Sequence, residues 1–259
     1  MTQTSMLSTD TVSHSNTPSA QAGMPPGVPV FQLERVVKKF GHQAALRGVS
    51  LAVRPGEFVL VLGNNGAGKS TLFKLLSTLM RPTTGQIFWG GLPLHQAASA
   101  ARRELGVISH DSRLYGDLTA EENLRVFGTL YGVDRLTQRI GEALEQVGLS
   151  HVAGFAAGGF SSGMTKRLAI ARLLLYRPRV LLLDEPHSGL DLNSIRLLDD
   201  YLARFKQEGG TTLLITHQFT KGVNLAERVV ILRDGRVAHD AEERGPSPAR
   251  LADLLLTHG

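Results

Sequence analysis

The sequence predicts an α/β protein in which a mixed sheet is wrapped by helices. Three continuous apolar runs predict this class, because such runs fit strands that are buried on both faces; they cover residues 57–62, 179–184 and 211–216. A helical pattern over about residues 193–206 lies between the last two runs. The first run leads directly into a glycine-rich segment, and the second ends in two acids.

The composition fits an ordinary globular protein. The 259 residues are 42% hydrophobic and 20% charged, and the mean hydropathy is −0.02. No window approaches the roughly 20 consecutive apolar residues of a membrane span. The absence of cysteine excludes disulfides and thiolate metal sites and fits a reducing cytoplasm. The net charge of +5 could suggest a nucleic-acid partner, but basic and acidic residues are interspersed, so we expect a solvated basic surface and no nucleic acid.

The first predicted strands follow a polar N-terminal segment. Residues 1–30 are rich in Ser, Thr, Gln, Pro and Gly and carry no Lys or Arg, so they predict a disordered tail and not a secretory signal. Order is expected from Phe31, where an alternating pattern predicts one strand, and residues 46–53 predict a second. Phe40 lies between them, and its spacing fits a ring stacked on a nucleotide base and a plain core residue equally well.

The glycine-rich segment matches the phosphate-binding pattern G-x-x-x-x-G-K-S. It reads Gly63-Asn64-Asn65-Gly66-Ala67-Gly68-Lys69-Ser70, and Thr71 follows. The helical face after it carries Leu72, Leu75, Leu76 and Leu79. The pattern therefore has the strand–loop–helix context that distinguishes it from a glycine-rich turn before an ordinary helix.

These residue types suit a triphosphate. Glycines let backbone N–H groups curl around phosphates, and the helix that starts near Gly68 directs its free N–H groups at them. Lys69 would supply charge to the β- and γ-phosphates, and the Ser70 hydroxyl would hold Mg²⁺. We therefore predict that the chain binds a nucleoside triphosphate.

A mainly helical segment separates the phosphate loop from the second apolar run. The predicted elements are, in order, strand 86–89, helix Leu94–Glu104, strand 106–109, a helix opening at Thr119, helix 134–147 and helix Ser162–Tyr176. Glu122 stands three residues after Thr119, which is a capping-box arrangement. We predict a helical subdomain over about residues 112–178. Beyond the third apolar run, a hairpin turns at Asp234-Gly235 and a helix covers about residues 249–257.

Polar residues at two strand ends complete a candidate catalytic site. Asp184 and Glu185 end the most hydrophobic run, and in an open α/β sheet ligands bind beyond the carboxyl ends of the strands. Asp184 would hold Mg²⁺, and Glu185 would polarise the water that attacks the γ-phosphate. The alternative, two acids that close a strand at the surface, fits poorly with four apolar residues before them. His217 follows the third run and would lie near the same phosphate.

With these motifs, the chain resembles the ATP-binding subunits of ABC transporters over residues 31 to about 240. The two Walker motifs are the phosphate loop and Val180-Leu181-Leu182-Leu183-Asp184-Glu185-Pro186. The segment Phe160-Ser161-Ser162-Gly163-Met164-Thr165-Lys166-Arg167-Leu168 looks like the signature motif. Ser188-Gly189-Leu190-Asp191 looks like the D-loop, and His217 like the switch histidine. The resemblance implies a P-loop NTPase core with a mixed, largely parallel sheet, an antiparallel β-subdomain and the inserted helical subdomain.

The resemblance also implies how the chain acts. Two subunits would enclose two ATP molecules, each bound by one phosphate loop and by Ser161, Gly163 and Asp191 of the other subunit. Phe40 falls where the family stacks an aromatic ring on adenine. ATP and Mg²⁺ are the implied ligands, and a transmembrane permease and a second ATP-binding subunit, as a homodimer, are the implied partners. The domain would span residues 31–245, with a C-terminal helical tail at 246–259, and would lie in the cytoplasm on the inner face of the cell membrane.

Two departures from the family pattern stand out. The signature usually reads Leu-Ser-Gly-Gly-Gln, whereas Phe160, Ser162 and Met164 replace its first, third and fifth residues here. His110 falls where a Q-loop glutamine usually contacts Mg²⁺ and the attacking water. Because a protonated imidazole would repel Mg²⁺, we expect ATPase activity that falls more steeply below pH about 6.5 than in a His110→Gln variant.

In these two departures the chain resembles the haem-exporter subunits of cytochrome c biogenesis, although drug and polysaccharide exporters can share the same departures. Two further interpretations stay open, namely a soluble ABC protein that acts on ribosomes or DNA, and a module that binds ATP without turnover. The single cassette without inserted arms disfavours the first. Glu185 and His217 disfavour the second.

Overall fold

The computed structural model describes residues 27–109, 114–216 and 221–259. The strands in these ranges are β1 Phe31–Phe40, β2 Gln43–Val53, β3 Phe58–Leu62, β4 Thr84–Trp89, β5 Leu92–Pro93, β6 Leu105–Ile108, β7 Val180–Asp184, β8 Thr211–Ile215, β9 Arg228–Arg233 and β10 Arg236–Glu242. The helices are α1 Lys69–Leu76, α2 Leu94–Glu104, α3 Ala120–Leu130, α4 Leu136–Gln146, α5 Ser162–Tyr176, α6 Leu192–Gln207 and α7 Pro248–His258. The predicted α/β class is confirmed.

The strands form two sheets. The central sheet has the order β10-β9-β3-β8-β7-β6, and its strands are parallel except for the antiparallel pairing of β10 with β9. The second sheet is antiparallel and has the order β2-β1-β4-β5. The chain therefore combines a largely parallel sheet with an antiparallel β-subdomain, as the sequence predicts.

The two faces of the central sheet pack into two separate hydrophobic cores. In β3, Phe58, Leu60 and Leu62 belong to a core shared with α3–α7, because alternate side chains of a strand point to opposite faces. Val59 and Val61 belong to the other core, which includes α1, α2 and the antiparallel sheet. All five residues of β3 are buried, so the apolar run reflects a strand that is covered on both faces.

The helices α3, α4 and α5 pack against one another within the segment for which the sequence predicts a helical subdomain. α3 begins with the predicted capping box, in which Thr119 Oγ1 accepts from the Glu122 N–H at 3.1 Å and Glu122 Oε2 accepts from the Thr119 N–H at 2.8 Å. The capping hydrogen bonds to Thr119 hold the pKa of Glu122 below its ordinary value. This local signal correctly predicts where the subdomain's first helix begins.

The chain termini of the described domain pack on the sheets. Val30 is buried, and its N–H donates to the Val53 oxygen at 2.7 Å. Residues 1–26 of the predicted tail lie outside the described residues. At the other end, α7 packs on β9 through the buried Leu251 and Leu254.

The predicted extent of α1 is wrong at its C-terminus. The sequence pattern includes Leu79 in the buried helical face, but α1 ends at Leu76 and Leu79 is 54% exposed. Thr78 adopts a left-handed φ of 61°, and the N–H groups of Leu79 and Met80 both bond to the Lys74 oxygen. This tight turn ends the helix before the periodic pattern does.

The structure also addresses membrane crossing. Across the three described ranges, every helix is too short or too polar to span a bilayer.

Candidate nucleotide-binding site

The ends of three adjacent strands bring the predicted site together. β3, β8 and β7 are neighbours in the central sheet, and Ile215 is in register with both Val61 and Asp184. The phosphate loop leaves the sheet after β3, Thr216 after β8, and Glu185 after β7. Because the three strands are parallel, these segments leave from the same carboxyl edge of the sheet.

The phosphate loop depends on two glycines that have no room for a side chain. A Cβ atom at Gly63 would lie 2.3 Å from the Leu232 oxygen, and one at Gly68 would lie 2.6 Å from the Ala45 oxygen. Both have left-handed φ angles, 148° and 104°. α1 begins directly after Gly68 without a side-chain cap. The backbone N–H groups of its first turn can therefore bind an anion.

Lys69 links the loop to the acids at the end of β7. Its Nζ donates to the carbonyl oxygens of Gly63 at 2.6 Å and Asn64 at 3.0 Å. Burial lowers the pKa of Lys69, and the negative charges of Glu185 and Asp184 partly offset that effect. The ammonium group and the two acids therefore share one electrostatic environment, as a phosphate and metal site requires.

The two acids are buried and are not a surface pair. Asp184 is 7% and Glu185 8% exposed. Thr216 Oγ1 donates to Glu185 Oε2 at 3.0 Å, and the Glu185 N–H donates to the Ile215 oxygen at 2.9 Å. Glu185 has a left-handed φ of 49°. A non-glycine residue in this conformation costs about 1–3 kcal/mol and is typical of functional sites whose surroundings fix it.

A cavity of about 490 Å³ opens beside the phosphate loop. The residues that line it come from β1, β2, the loop, α1 and the β9–β10 turn: Phe40, Gln43, Ala44, Ala45, Arg47, Asn65, Gly66, Gly68, Lys69, Ser70, Thr71, Asp234 and Gly235. The structure thus brings Phe40 to the predicted site as an exposed wall residue, with 48% of its surface accessible. A larger cavity, about 700 Å³, lies near the starts of β7 and β8 and shares no lining residue with this one.

The signature and D-loop segments lie side by side. Ser161 caps α5 by accepting from the Met164 N–H at 3.3 Å, and Asp191 caps α6 by accepting from the Ser194 N–H at 2.7 Å. The hydrogen bonds from Ser194 lower the pKa of Asp191. Among the described residues, the lining of the phosphate-loop cavity includes neither of these caps nor Gly163. The predicted contacts at Ser161, Gly163 and Asp191 therefore lie outside the described lining of this cavity.

Some predicted residues lie outside the described part, and others were missed. His110 and His217 belong to residues 110–113 and 217–220, which the structure does not describe. Sequence reasoning missed Thr216, although its place directly after β8 was a usable signal. It also missed Lys166, whose Nζ donates to the carbonyl oxygens of Pro186 at 3.4 Å and of Ser188.

The described residues also bear on the question of a resident metal ion. Within residues 27–109, 114–216 and 221–259, no three His, Cys, Asp or Glu side chains are grouped as a metal site. Asp184 and the Ser70 hydroxyl could instead hold Mg²⁺ together with substrate phosphates, which is the common way in which Mg²⁺ is bound.

Fold and site together define a P-loop domain that binds a nucleoside triphosphate. The ABC transporter family model matches residues 46–188, which is more than half of the chain. The chain belongs to the ABC transporter family, and it is an ABC ATPase domain.

Curated relatives match most of the chain. The probable multidrug ABC transporter ATP-binding protein YbhF of Escherichia coli is 35% identical over 90% of this chain. The chain spans only 42% of that relative's length. The aliphatic sulfonates import ATP-binding protein SsuB of Pseudomonas putida is 39% identical over 84% of this chain and 80% of its own. The Nod factor export ATP-binding protein I of Burkholderia lata is 35% identical over 87% and 80%.

Solved structures agree with the family. The ATP-binding subunit of an ABC transporter superposes with a TM-score of 0.79 at 30% identity, over 88% of this chain and 99% of its own. A dimeric ATP-binding cassette bound to ADP and Pi superposes with a TM-score of 0.72 at 28% identity, over 83% of this chain and all of its own. The cassette fold is therefore established for this chain.

Proposed function

We propose that this chain is the ATP-hydrolysing subunit of an ABC transporter that powers transport through a separate membrane permease. The observation that carries the proposal is the common carboxyl edge of β3, β7 and β8, where Lys69 and the buried acids Asp184 and Glu185 share one electrostatic environment. Such a site binds a triphosphate and holds the groups that its hydrolysis needs.

Each residue of the edge has a proposed task. The N–H groups of Gly63–Thr71 and the Lys69 ammonium bind the phosphates, and Phe40 stacks on the adenine. Ser70 and Asp184 would hold Mg²⁺, which would supply positive charge beside the phosphates. Glu185 accepts the proton of the attacking water, while Thr216 orients its carboxylate through the 3.0 Å hydrogen bond. As predicted from the sequence, His217 would lie near the γ-phosphate. His110 would take the place of the glutamine that contacts Mg²⁺ and the attacking water.

The second nucleotide contact comes from another copy of the chain. Ser161 caps α5 and Gly163 lies in the first turn of that helix, so the remaining N–H groups of this turn can bind an anion. Asp191 caps the neighbouring helix α6 with its own carboxylate. We propose that these two helix starts meet the γ-phosphate bound by the partner subunit in a homodimer. The dimeric cassette among the solved relatives supports this arrangement.

The cargo is a finer proposal. The Phe-Ser-x-Gly-Met signature and His110 favour haem export for cytochrome c biogenesis, with drug or polysaccharide export as the alternative. The relatives are named for multidrug transport, sulfonate import and Nod factor export, so their names favour no single cargo. We propose a location in the cytoplasm, on the inner face of the membrane that holds the permease.

The first experiment tests hydrolysis with Glu185→Gln. We expect the purified chain to release phosphate from Mg²⁺–ATP, and Glu185→Gln to lower kcat at least about a hundredfold because the proton acceptor is lost. Glu145→Gln is the matched control, since Glu145 is an exposed residue of α4. Equal rates for Glu185→Gln and the unchanged chain would contradict the proposed catalytic role.

The same variant identifies the partner. Tagged Glu185→Gln, expressed in the native cell, is expected to hold ATP and to co-purify from solubilised membranes with a multi-span protein. The chemistry of that permease then separates haem, drug and glycan export. Recovery of ribosomal proteins or DNA without a membrane protein would replace the transporter proposal by a soluble ABC function.

A further inference from the structure

A buried histidine follows Glu185 by two residues. His187 is 3% exposed and lies in the turn between β7 and α6. Its Nε2 lies 2.8 Å from Asp199 Oδ1, and Asp199 belongs to α6. Because a carboxylate only accepts hydrogen bonds, Nε2–H is the donor in this contact. The side chain therefore ties the turn after Glu185 to a helix.

The His187–Asp199 pair also contacts the segment that follows residue 220. A Cβ atom at Gly222 would lie 3.0 Å from Asp199 Oδ1 and 3.2 Å from His187 Cε1. Gly222 belongs to the short 3₁₀ helix Lys221–Leu225, which comes directly after the segment that carries His217. The pair is therefore packed between the turn after β7, α6 and the 3₁₀ helix Lys221–Leu225.

A second helix holds the same turn by its backbone. Lys166 Nζ, from α5, donates to the carbonyl oxygens of Glu185 at 3.5 Å and Pro186 at 3.4 Å, and also to that of Ser188. Burial lowers the pKa of Lys166, and the charge of Glu185 partly offsets that effect. The turn is therefore bonded to α5 through its carbonyl groups and to α6 through the His187 side chain.

This double attachment matters because of the Glu185 conformation. Glu185 has a left-handed φ of 49°, and such a residue keeps its geometry only where the surroundings fix it. Thr216 fixes the carboxylate, whereas Lys166 and His187 fix the backbone on which that carboxylate stands. His187 does not line the phosphate-loop cavity.

We propose that His187 and Asp199 form a positioning pair, which keeps Glu185 oriented toward the water that attacks the γ-phosphate. The inference rests on the proposed ATPase function and extends it to two residues away from the nucleotide. The pair would act on the chemical step and not on ATP binding, because it holds the turn of Glu185 and not the phosphate loop.

The test compares His187→Ala, Asp199→Ala and the double variant in steady-state ATPase assays. We expect each single variant to lower kcat at least about fivefold, with the KM for ATP and the Kd for a non-hydrolysable ATP analogue unchanged. The double variant is expected to be no slower than the slower single variant, because one shared contact is lost only once. His187→Gln keeps an N–H donor near the same position and is expected to recover most of the rate.

Two controls on α6 separate positioning from stability. Asp200→Ala removes an exposed neighbouring carboxylate and should leave kcat unchanged. Leu198→Ala removes a fully buried side chain from the same helix turn, so it should lower the Tm without the selective loss of kcat. Asp199→Asn keeps the shape of the side chain with a weaker, neutral hydrogen bond, so an intermediate kcat is expected even if the alanine variants fold poorly.

The outcomes distinguish this inference from the function on which it rests. If the unchanged chain hydrolyses ATP and Glu185→Gln does not, the proposed function stands. Wild-type kcat in the His187 and Asp199 variants would then overturn the positioning pair alone. A loss of kcat in Leu198→Ala equal to that in His187→Ala would also overturn it, because the effect would follow stability. A chain without ATPase activity would contradict the proposed function itself.

Discussion

Phe40 shows how the exposure of one side chain separates two predicted roles. From its spacing, the ring fits a base-stacking role and a core role equally well. In the structure Phe40 is 48% exposed at the end of β1 and lines the cavity beside the phosphate loop, which argues against the core role. Lys38 Nζ lies 5.5 Å from the ring centroid, so a cation already contacts one part of this aromatic ring.

At the residue scale, we predict that Phe40→Ala weakens ATP binding about tenfold. Loss of one aromatic stack on a base costs roughly 1–3 kcal/mol, and about 1.4 kcal/mol corresponds to a factor of ten in Kd. Titration calorimetry with a non-hydrolysable ATP analogue gives the change. Phe155→Ala is the matched control, because Phe155 is an exposed phenylalanine of the helical subdomain. Equal Kd values for Phe40→Ala and Phe155→Ala would contradict the stacking role.

The site residues that the sequence predicts are those with a local pattern. The phosphate loop is a contiguous segment between a strand and a helix, and Asp184 and Glu185 end a run of apolar residues, so both can be recognised without the fold. Lys166 and His187 carry no such pattern. Their partners lie on other elements of the chain, and the contacts exist only after α5, β7 and α6 have packed together.

At the element scale, local capping chemistry predicts helix starts better than periodicity predicts helix ends. The capping box of Thr119 and Glu122 correctly gives the start of α3. The periodic leucines after the phosphate loop extend to Leu79, whereas α1 ends three residues earlier. The difference arises from the left-handed Thr78, which no hydrophobic pattern encodes.

The loops beside the start of α3 carry exposed aromatic side chains that suit the proposed permease interface. Tyr115 and Phe155 flank the start of α3 and are 54% and 65% exposed. Asn123, fully buried on α3, donates to the carbonyl oxygens of Tyr115, Leu118 and Thr119 and accepts from the Tyr115 N–H at 2.8 Å. These four hydrogen bonds fix the loop before α3. Tyr115 lies on this fixed loop, Phe155 accepts a hydrogen bond from the Ala120 N–H through its carbonyl oxygen at 3.1 Å, and exposed aromatic side chains are typical of protein interfaces.

We predict that the double variant Tyr115→Ser, Phe155→Ser loses the permease and keeps basal ATPase activity. The aromatic anchors would be removed from the proposed interface, whereas the phosphate-loop cavity contains neither residue. Co-purification from solubilised membranes and phosphate release by the isolated chain measure the two effects. Leu256→Ser, at an 89% exposed leucine of α7, is the control. Retention of the permease by the double variant would exclude this surface as its docking site.

On the scale of the whole molecule, the proposed nucleotide site is completed by a second copy of the chain. The phosphate-loop cavity is lined by β1, β2, α1 and the β9–β10 turn, and Ser161, Gly163 and Asp191 are not among its described lining residues. These three residues lie at the starts of α5 and α6, and the first turn of α5 has N–H groups that can bind an anion. A second copy that presents these helix starts to the bound ATP would complete the site.

Gly163 offers a direct test of that assembly. Within the chain, a Cβ atom at Gly163 would lie 3.7 Å from Asp191 Oδ2 and 4.0 Å from Ser161 Oγ, which is ordinary van der Waals contact. Gly163→Ala should therefore fold normally, and in a helix alanine is favoured over glycine. In a dimer, however, the same methyl group would occupy space that the partner's γ-phosphate needs. The substitution should weaken the dimer without harming the monomer.

We therefore predict that Gly163→Ala, made in the Glu185→Gln background, reduces ATP-driven dimerisation. The 28.0 kDa chain with Glu185→Gln alone should double its mass on addition of Mg²⁺–ATP, as measured by light scattering after size exclusion. With Gly163→Ala, the dimer should need at least about tenfold more protein, while the Tm without nucleotide stays equal or rises. Gly141→Ala is the matched control, because Gly141 lies in α4 with nothing within 4 Å of its Cβ position. If Gly163→Ala and Gly141→Ala dimerise equally well, the start of α5 does not contact the partner's nucleotide, and the completed site must be formed by other residues.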